Sequence, residues 1–385
     1  MKNLISLHKR EYGEEPEIIV SAPGSIKLMG EHTDYNEGYI LQMAFNRFAE
    51  IAISRRKDNS LKFYSVDLNE RKRTTIANLK YRREDRWANY PKGVLFLLAE
   101  AGYPYGGMNF SIHGDIPQNI GLASSAALIT ATIVAIRALF KITLSDNEAV
   151  ELATNVEREF LGLETEPTDQ LIAFVAKAGN IVFLDLRTLN YEHLPLKLNG
   201  VKLLLTNSNL PVISTEGELR ERKREYQECL KFLSDKKSGK VLRDFNSSDL
   251  QQMMGTMPEN LRRRCLHVIE ENERVLEARN VLLRGNMAAF GKILNRSHES
   301  LRDNYEVSCP ELDWLVKRAW EIDGVLGSRM SGFWYGGCTI TLIRENAVGR
   351  YLEKLDEYER IFGFKAESFI SEPADGVRIV YKKES

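Results

Sequence analysis

The segment Gly114-Asp115-Ile116-Pro117-Gln118-Asn119-Ile120-Gly121-Leu122-Ala123-Ser124-Ser125-Ala126-Ala127 constrains this chain more than any other. A loop of turn-forming and small residues runs directly into an apolar stretch, Ser125 to Phe140, whose spacing predicts a buried helix. The first backbone N–H groups of a helix have no partner within it, and the macrodipole adds partial positive charge at that end. Small residues there let a polyanion approach the backbone, so the segment suits phosphate. Ser124 and Ser125 add hydroxyls that can meet phosphate oxygens or Mg²⁺. A plain Ser-capped helix carries the same residues, so the reading needs support from the rest of the chain.

That support depends on layout. Ile18-Ile19-Val20, Ile40 to Ala52, Leu61 to Val66, Met108 to Ile112, Asn180 to Asp185 and Val201 to Thr206 read as strands, and Trp87 to Ala101 reads as a helix. From Thr215 onward the pattern turns helical over Thr215–Leu233, Arg262–Leu283, Met287–Leu301 and Leu312–Ile322. Strand signals return at Cys338–Ile343 and Val377–Tyr381, on either side of a helix around Ala347–Phe362. A mixed first half and a helix-rich second half predict two domains, residues 1–200 and 201–385.

Composition removes several function classes. The 385 residues hold 53 Lys and Arg against 54 Asp and Glu, and the balance argues against a surface built for nucleic acid or anionic membrane. Within Arg220-Glu221-Arg222-Lys223-Arg224-Glu225 the signs alternate, as on a solvated, salt-bridged helix face. No apolar run reaches the length of a membrane span, and Met1 to Glu17 lacks the apolar block of a secretory signal. Cys229, Cys265, Cys309 and Cys338 are scattered, which predicts neither a disulfide framework nor a zinc site and points to a reducing cytoplasm.

Three further segments carry chemistry. Ala22-Pro23-Gly24-Ser25-Ile26-Lys27-Leu28-Met29-Gly30-Glu31-His32-Thr33-Asp34-Tyr35 places Glu31, His32 and Asp34 within four residues, a mixture of donors and acceptors suited to sugar hydroxyls. Glu157 and Asp169 lie twelve apart across a turn, where one acid can hold a divalent cation while the other engages a substrate hydroxyl. Gly327-Ser328-Arg329-Met330-Ser331-Gly332-Phe333-Trp334-Tyr335-Gly336-Gly337-Cys338 has the glycine density of a tight loop or a close backbone approach.

Together these segments resemble the GHMP small-molecule kinases, and within them the galactokinase branch, over nearly the whole chain. Gly30-Glu31-His32-Thr33-Asp34-Tyr35-Asn36-Glu37-Gly38 is similar to the branch signature, Gly121 to Ala126 to the phosphate loop, and Gly336-Gly337-Cys338 to the end of the third motif. Trp87 to Val94 and Ser297 to Asp313 also resemble galactokinase text. The resemblance implies an α+β, two-domain fold, with an N-terminal ribosomal-protein-like α/β domain and a C-terminal ferredoxin-like α+β domain. It implies ATP- and Mg²⁺-dependent phosphorylation of a monosaccharide at its anomeric hydroxyl, galactose by default, by a monomer with no nucleic-acid or membrane partner. Asp169 would act on the sugar hydroxyl, and Glu31, His32 and Asp34 would bind the sugar. Gly121, Leu122, Ala123, Ser124, Ser125 and Ala126 would cradle the phosphates, Ser125 and Glu157 would hold Mg²⁺, and Trp87 would sit near the adenine.

The pattern breaks where it matters. Ser25 stands where the family carries Arg, Asn119 and the pair Phe333-Trp334 where it carries glycine, and Thr165-Glu166 where a Cys-Gly pair lies along the sugar. Bulky side chains disfavour a left-handed backbone, so the Phe333–Trp334 loop is expected to depart from the glycine-rich conformation. Ser25 and Lys27 are two apart and share a face if extended, so Lys27 is expected to supply the missing charge in catalysis. Glu166 is expected beside the sugar. The competing reading is a catalytically silent sugar- or nucleotide-binding regulator, or a kinase for another sugar.

Overall fold

Ile18–Met29 carries no charged residue before Lys27, and it forms β1, buried along its whole length. The computed structural model describes residues 2–211, 216–235, 237–253, 255–332 and 336–384. β2 (Tyr39–Arg55) pairs antiparallel with β1. β3 (Ser60–Ser65) and β4 (Glu70–Thr75) form a hairpin, and β3 runs parallel to β5 (Met108–Gly114), which closes on β2. β6 (Asn180–Asp185) pairs with the first turn-proximal residues of β2 and makes a hairpin with β7 (Asn190–Pro195).

Alternation along β1 gives the sheet two apolar faces. Ile19 and Ala52 meet Leu4 of helix α1 (Lys2–Tyr12) on one side. On the other, Ile18, Val20 and Ile51 join the main core with α2 (Asn89–Glu100) and α3 (Ser124–Phe140). α3 is apolar on nearly all sides, as a helix enclosed by neighbours must be. α4 (Asp146–Asn155) and α5 (Thr168–Val175) pack beside it.

The second sheet begins at β8 (Val201–Asn207), followed by α6 (Glu216–Ser234), α7 (Ser247–Gln251), α8 (Glu259–Leu283), α9 (Met287–Ser300) and α10 (Pro310–Trp320). β9 (Val325–Ser331), β10 (Cys338–Arg344), α11 (Val348–Phe362) and β11 (Glu367–Ser371) complete it. The antiparallel order β11-β8-β10-β9 with helical crossovers is the ferredoxin-like arrangement. α9 lies against β9 at backbone contact, since a Cβ on Gly327 would come 2.0 Å from the Gly291 carbonyl oxygen. That approach accounts for a glycine at Gly327.

Three features differ from the sequence reading. The last strand, β12 (Arg378–Lys382), returns to pair with β1, so the N-terminal sheet draws on both sides of residue 200. Cys229 of α6 and Cys265 of α8 are joined as a disulfide, because two packed helices bring together residues 36 apart in sequence. In the alternating run on α6, Arg222 and Glu225 are buried and paired at 2.7 Å, with Arg222 over the Tyr305 ring, while Arg224 remains on the solvated side. Among the described residues, no helix is long and apolar enough to cross a membrane.

Candidate active site

The phosphate-loop segment and the acidic segments meet at one cavity of about 510 Å³ between the two sheets' domains, lined by Lys27, Glu31, Asp34, Gly121, Glu166 and Asp169 among others. The loop backbone is left-handed at Asn119 (φ 63°), Gly121 (φ 77°) and Ala123 (φ 57°). Asparagine tolerates that region, so Asn119 keeps the turn that a glycine would make. A Cβ on Gly121 would lie 3.1 Å from the Cα of Gly332, just past β9, so a larger residue there would crowd that junction as well as strain the left-handed backbone. Ala123 precedes α3 without a side-chain cap, and Gly121 is on the cavity wall, so the leading amides of α3 are left for a ligand. Gly121→Ala is expected to raise the KM for nucleotide at least tenfold and to lower the thermal midpoint, through left-handed strain of about 1–2 kcal/mol and the tight contact. Nucleotide titration and calorimetry check it.

Both Ser25 and Lys27 of β1 are buried; Lys27 lines the cavity, and Ser25 reaches it only through Asp169. Ser25 Oγ donates to Asp169 Oδ1 at 2.7 Å. The Lys27 ammonium donates to Asp34 Oδ2 at 2.9 Å and lies 3.8 Å from Glu31 Oε2. Burial opposes its charge, but the Asp34 and Glu31 carboxylates outweigh burial and hold it protonated. Burial likewise favours neutral Asp34, and Lys27 overrides it, leaving that pKa below the usual carboxylate value. Asp169, at the start of α5, is half-buried on the cavity wall; burial raises its pKa, opposed in part by the Ser25 hydrogen bond, the Lys27 charge and Gln42.

Glu157 sits in a π-helical turn, Val156–Phe160, that continues α4 and faces the start of α3. Ser125 Oγ donates to Glu157 Oε1 at 2.8 Å, and Gln170 Nε2 donates to Oε2 at 2.7 Å. Burial raises the Glu157 pKa, and the Ser125 hydrogen bond opposes the rise. Among the described residues no group of three or more His, Cys, Asp or Glu forms a ready cation cage. One carboxylate and one hydroxyl fit Mg²⁺, which keeps several waters and takes its remaining oxygens from substrate phosphates.

Glu31 is fixed from the other domain. Its Oε1 lies 3.0 Å from Arg329 Nη2 and accepts from Ser331 Oγ at 3.1 Å, leaving Oε2 toward Lys27. His32 is not on the cavity wall. It is fully buried behind it, tilted against the Tyr305 ring with the centroids 4.5 Å apart and hydrogen-bonded to the Tyr35 hydroxyl at 3.2 Å; burial pushes its pKa down to about 3, so it is neutral. Glu166 lines the rim, 3.2 Å from Arg158, and burial raises its pKa. Trp87 does not line this cavity either: its indole N–H donates to Glu70 at 3.0 Å beside the core. Phe333 and Trp334 lie outside the described residues.

Sequence reasoning missed Gln42, Arg329 and Arg158. Gln42 is the single polar residue in Tyr39-Ile40-Leu41-Gln42-Met43-Ala44, and a lone amide in an apolar strand was the available signal. Arg329 stands among small residues and gave none, because its partner Glu31 is 298 positions away and was visible only in three dimensions.

Three family models match the chain. The galactokinase galactose-binding signature matches residues 6–55, the GHMP kinases N terminal domain residues 89–177 and the GHMP kinases C terminal domain residues 278–360. A galactokinase of Thermotoga petrophila is 38% identical, over 93% of this chain and 99% of its own. One from Bacillus subtilis is 33% identical, over 93% of each. The crystal structure of Lactococcus lactis galactokinase complexed with galactose superposes with a TM-score of 0.91 at 30% identity, covering 98% of this chain and 99% of the other. Matched by these family models and by relatives of this identity over nearly its whole length, the chain belongs to the galactokinase family of GHMP kinases.

Proposed function

We propose that the protein transfers the γ-phosphoryl group of ATP to the anomeric hydroxyl of galactose. The observation that carries the reading is the shared cavity, where Gly121 of the uncapped phosphate loop and the Asp169 carboxylate face the same space. The galactose complex of the Lactococcus relative supports the choice of sugar. ATP supplies the phosphoryl group; Ser125 and Glu157 are the residues that would hold Mg²⁺, which would supply charge neutralisation of the phosphate oxygens when bound.

The chain's own residues do the rest. The amides of α3 bind and orient phosphate oxygens. Asp169 takes the proton of the sugar hydroxyl, a role worth about 10²–10⁴-fold in rate. Glu31, Asp34 and Glu166 face the cavity as acceptors for sugar hydroxyls. Lys27 keeps Asp34 ionised, lies beside Glu31 and adds positive charge beside the transferred group, where positioning and charge neutralisation dominate catalysis.

Galactose-dependent ADP release at a turnover on the order of 10 s⁻¹ is expected, with galactose 1-phosphate identified by ³¹P NMR. Release with another monosaccharide and none with galactose would reassign the sugar, and no sugar-stimulated release with any monosaccharide would leave only the binding regulator. Glu157→Gln is expected to raise the Mg²⁺ concentration for half-maximal rate by about tenfold, measured by Mg²⁺ titration at fixed ATP.

A further inference from the structure

Two carboxylates of the site are each held by one serine hydroxyl and one buried glutamine amide, but in different ways. On Glu157 the two donors are divided: Ser125 Oγ takes Oε1 and Gln170 Nε2 takes Oε2. On Asp169 they converge. Ser25 Oγ donates to Oδ1 at 2.7 Å, and Gln42 Nε2 donates to the same Oδ1 and, at 2.8 Å, to Ser25 Oγ. Oδ2 of Asp169 receives no hydrogen bond from the described residues, and Asp169 faces the cavity.

Gln42 is an unusual occupant of its place. It lies in β2, opposite Lys27 in the β1 register and opposite Val182 in the β6 register, and is 1% exposed. Its Oε1 has no partner among the described residues, a cost that a leucine or methionine of similar size would not carry. Turning the amide over would set Oε1 against a carboxylate oxygen, so Nε2 must face Asp169. The glutamine therefore spends a buried, unpaired oxygen to put an N–H on one oxygen of one acid.

We infer that Gln42 and Ser25 are positioning residues that clamp Asp169 through Oδ1 and leave Oδ2 as the atom that accepts the sugar proton. The inference rests on the kinase reading above. In the step, the sugar O–H bond breaks and its proton binds Oδ2. The electron pair left on the sugar oxygen forms the new bond to the γ-phosphorus as the bond from phosphorus to the departing ADP oxygen breaks. The clamp fixes the carboxylate plane for this transfer. Hydrogen bonds to the ionised form also counter the burial that favours the neutral acid. Glu157, with both oxygens engaged, has no equivalent open atom.

The test uses Gln42→Leu, Ser25→Ala and Ser25→Thr in the full chain. Gln42→Leu and Ser25→Ala are expected to lower kcat on the order of 10- to 100-fold with little change in the KM for ATP, as misplacement of a reacting group does. Ser25→Thr keeps the hydroxyl and is expected to recover most of the loss. With a donor gone from Oδ1 the ionised acid is less favoured, so the acidic limb of kcat moves to higher pH. The ¹³C carboxyl titration of Asp169, assigned by its absence in Asp169→Asn, is expected to move the same way. A Gln42 that only fills space would change stability and leave that titration in place. An unmoved carboxyl titration, or kcat within about twofold of the parent in both Gln42→Leu and Ser25→Ala, overturns the clamp. Should Gln42→Leu fail to fold, the Ser25 pair decides alone. A parent protein that phosphorylates no sugar overturns the kinase reading instead, and the carboxyl titration still reports on the clamp.

Discussion

Asp169→Asn is expected to lower sugar phosphate formation by about 10³-fold while the protein stays folded. Asparagine still presents an Oδ1 acceptor to Ser25 and Gln42, so the polar contacts of the site survive. What disappears is the ability to take a proton. Because burial raises the Asp169 pKa, the parent loses activity, as pH falls, at a pH above the ordinary carboxylate range. The residual rate of the variant lacks that limb. The same upward shift means the folded state binds this proton more readily than the unfolded chain does, so Asp169 withdraws stability as pH rises through its folded pKa. Removing the acid removes that cost, and the thermal midpoint at neutral pH is expected to stay level or rise. A kcat within tenfold of the parent would refute Asp169 as the proton acceptor.

Lys27→Met is expected to cost both catalysis and stability, and the two losses can be separated. The ammonium is the cation paired with buried Asp34 at 2.9 Å, and Glu31 is 3.8 Å away. Breaking such a buried pair from one side costs about 3–5 kcal/mol, read as a drop of several degrees in the thermal midpoint. Turnover is expected to fall about 10³-fold with loss of a cation beside the transferred group. Removing both partners of a buried pair is far less costly than removing one. The double variant Lys27→Met with Asp34→Asn is therefore expected to regain most of the thermal midpoint and none of the turnover. Unchanged turnover in Lys27→Met would dismiss the lysine as the source of the charge that Ser25 lacks.

Several parts of this site were legible before any fold was known. The phosphate loop could be read because its chemistry is local: small residues, a left-handed turn and the start of an apolar helix lie within about a dozen positions. Ser25 and Lys27 could be placed on one face because a strand alternates with period two; Lys27 lines the cavity and Ser25 bonds the lining residue Asp169. His32 could not be placed. It sits in the same short segment as Glu31 and Asp34, but its φ of 64° turns it away from the cavity into the aromatic layer of Tyr305 and His267.

The sequence by itself determined many of the strands and helices, though not α1, β4, β7 or β9, and which segments carry phosphate and acid chemistry, because periodicity, turn residues and short motifs act over a few neighbouring positions. Only the tertiary structure decided which side chains meet: β12 closing on β1, Arg329 reaching Glu31, Cys229 joining Cys265, and Gln42 turning its amide onto Asp169. Those partners are 36 to several hundred residues apart along the chain. Their pairing is set by how the two sheets and their helices pack.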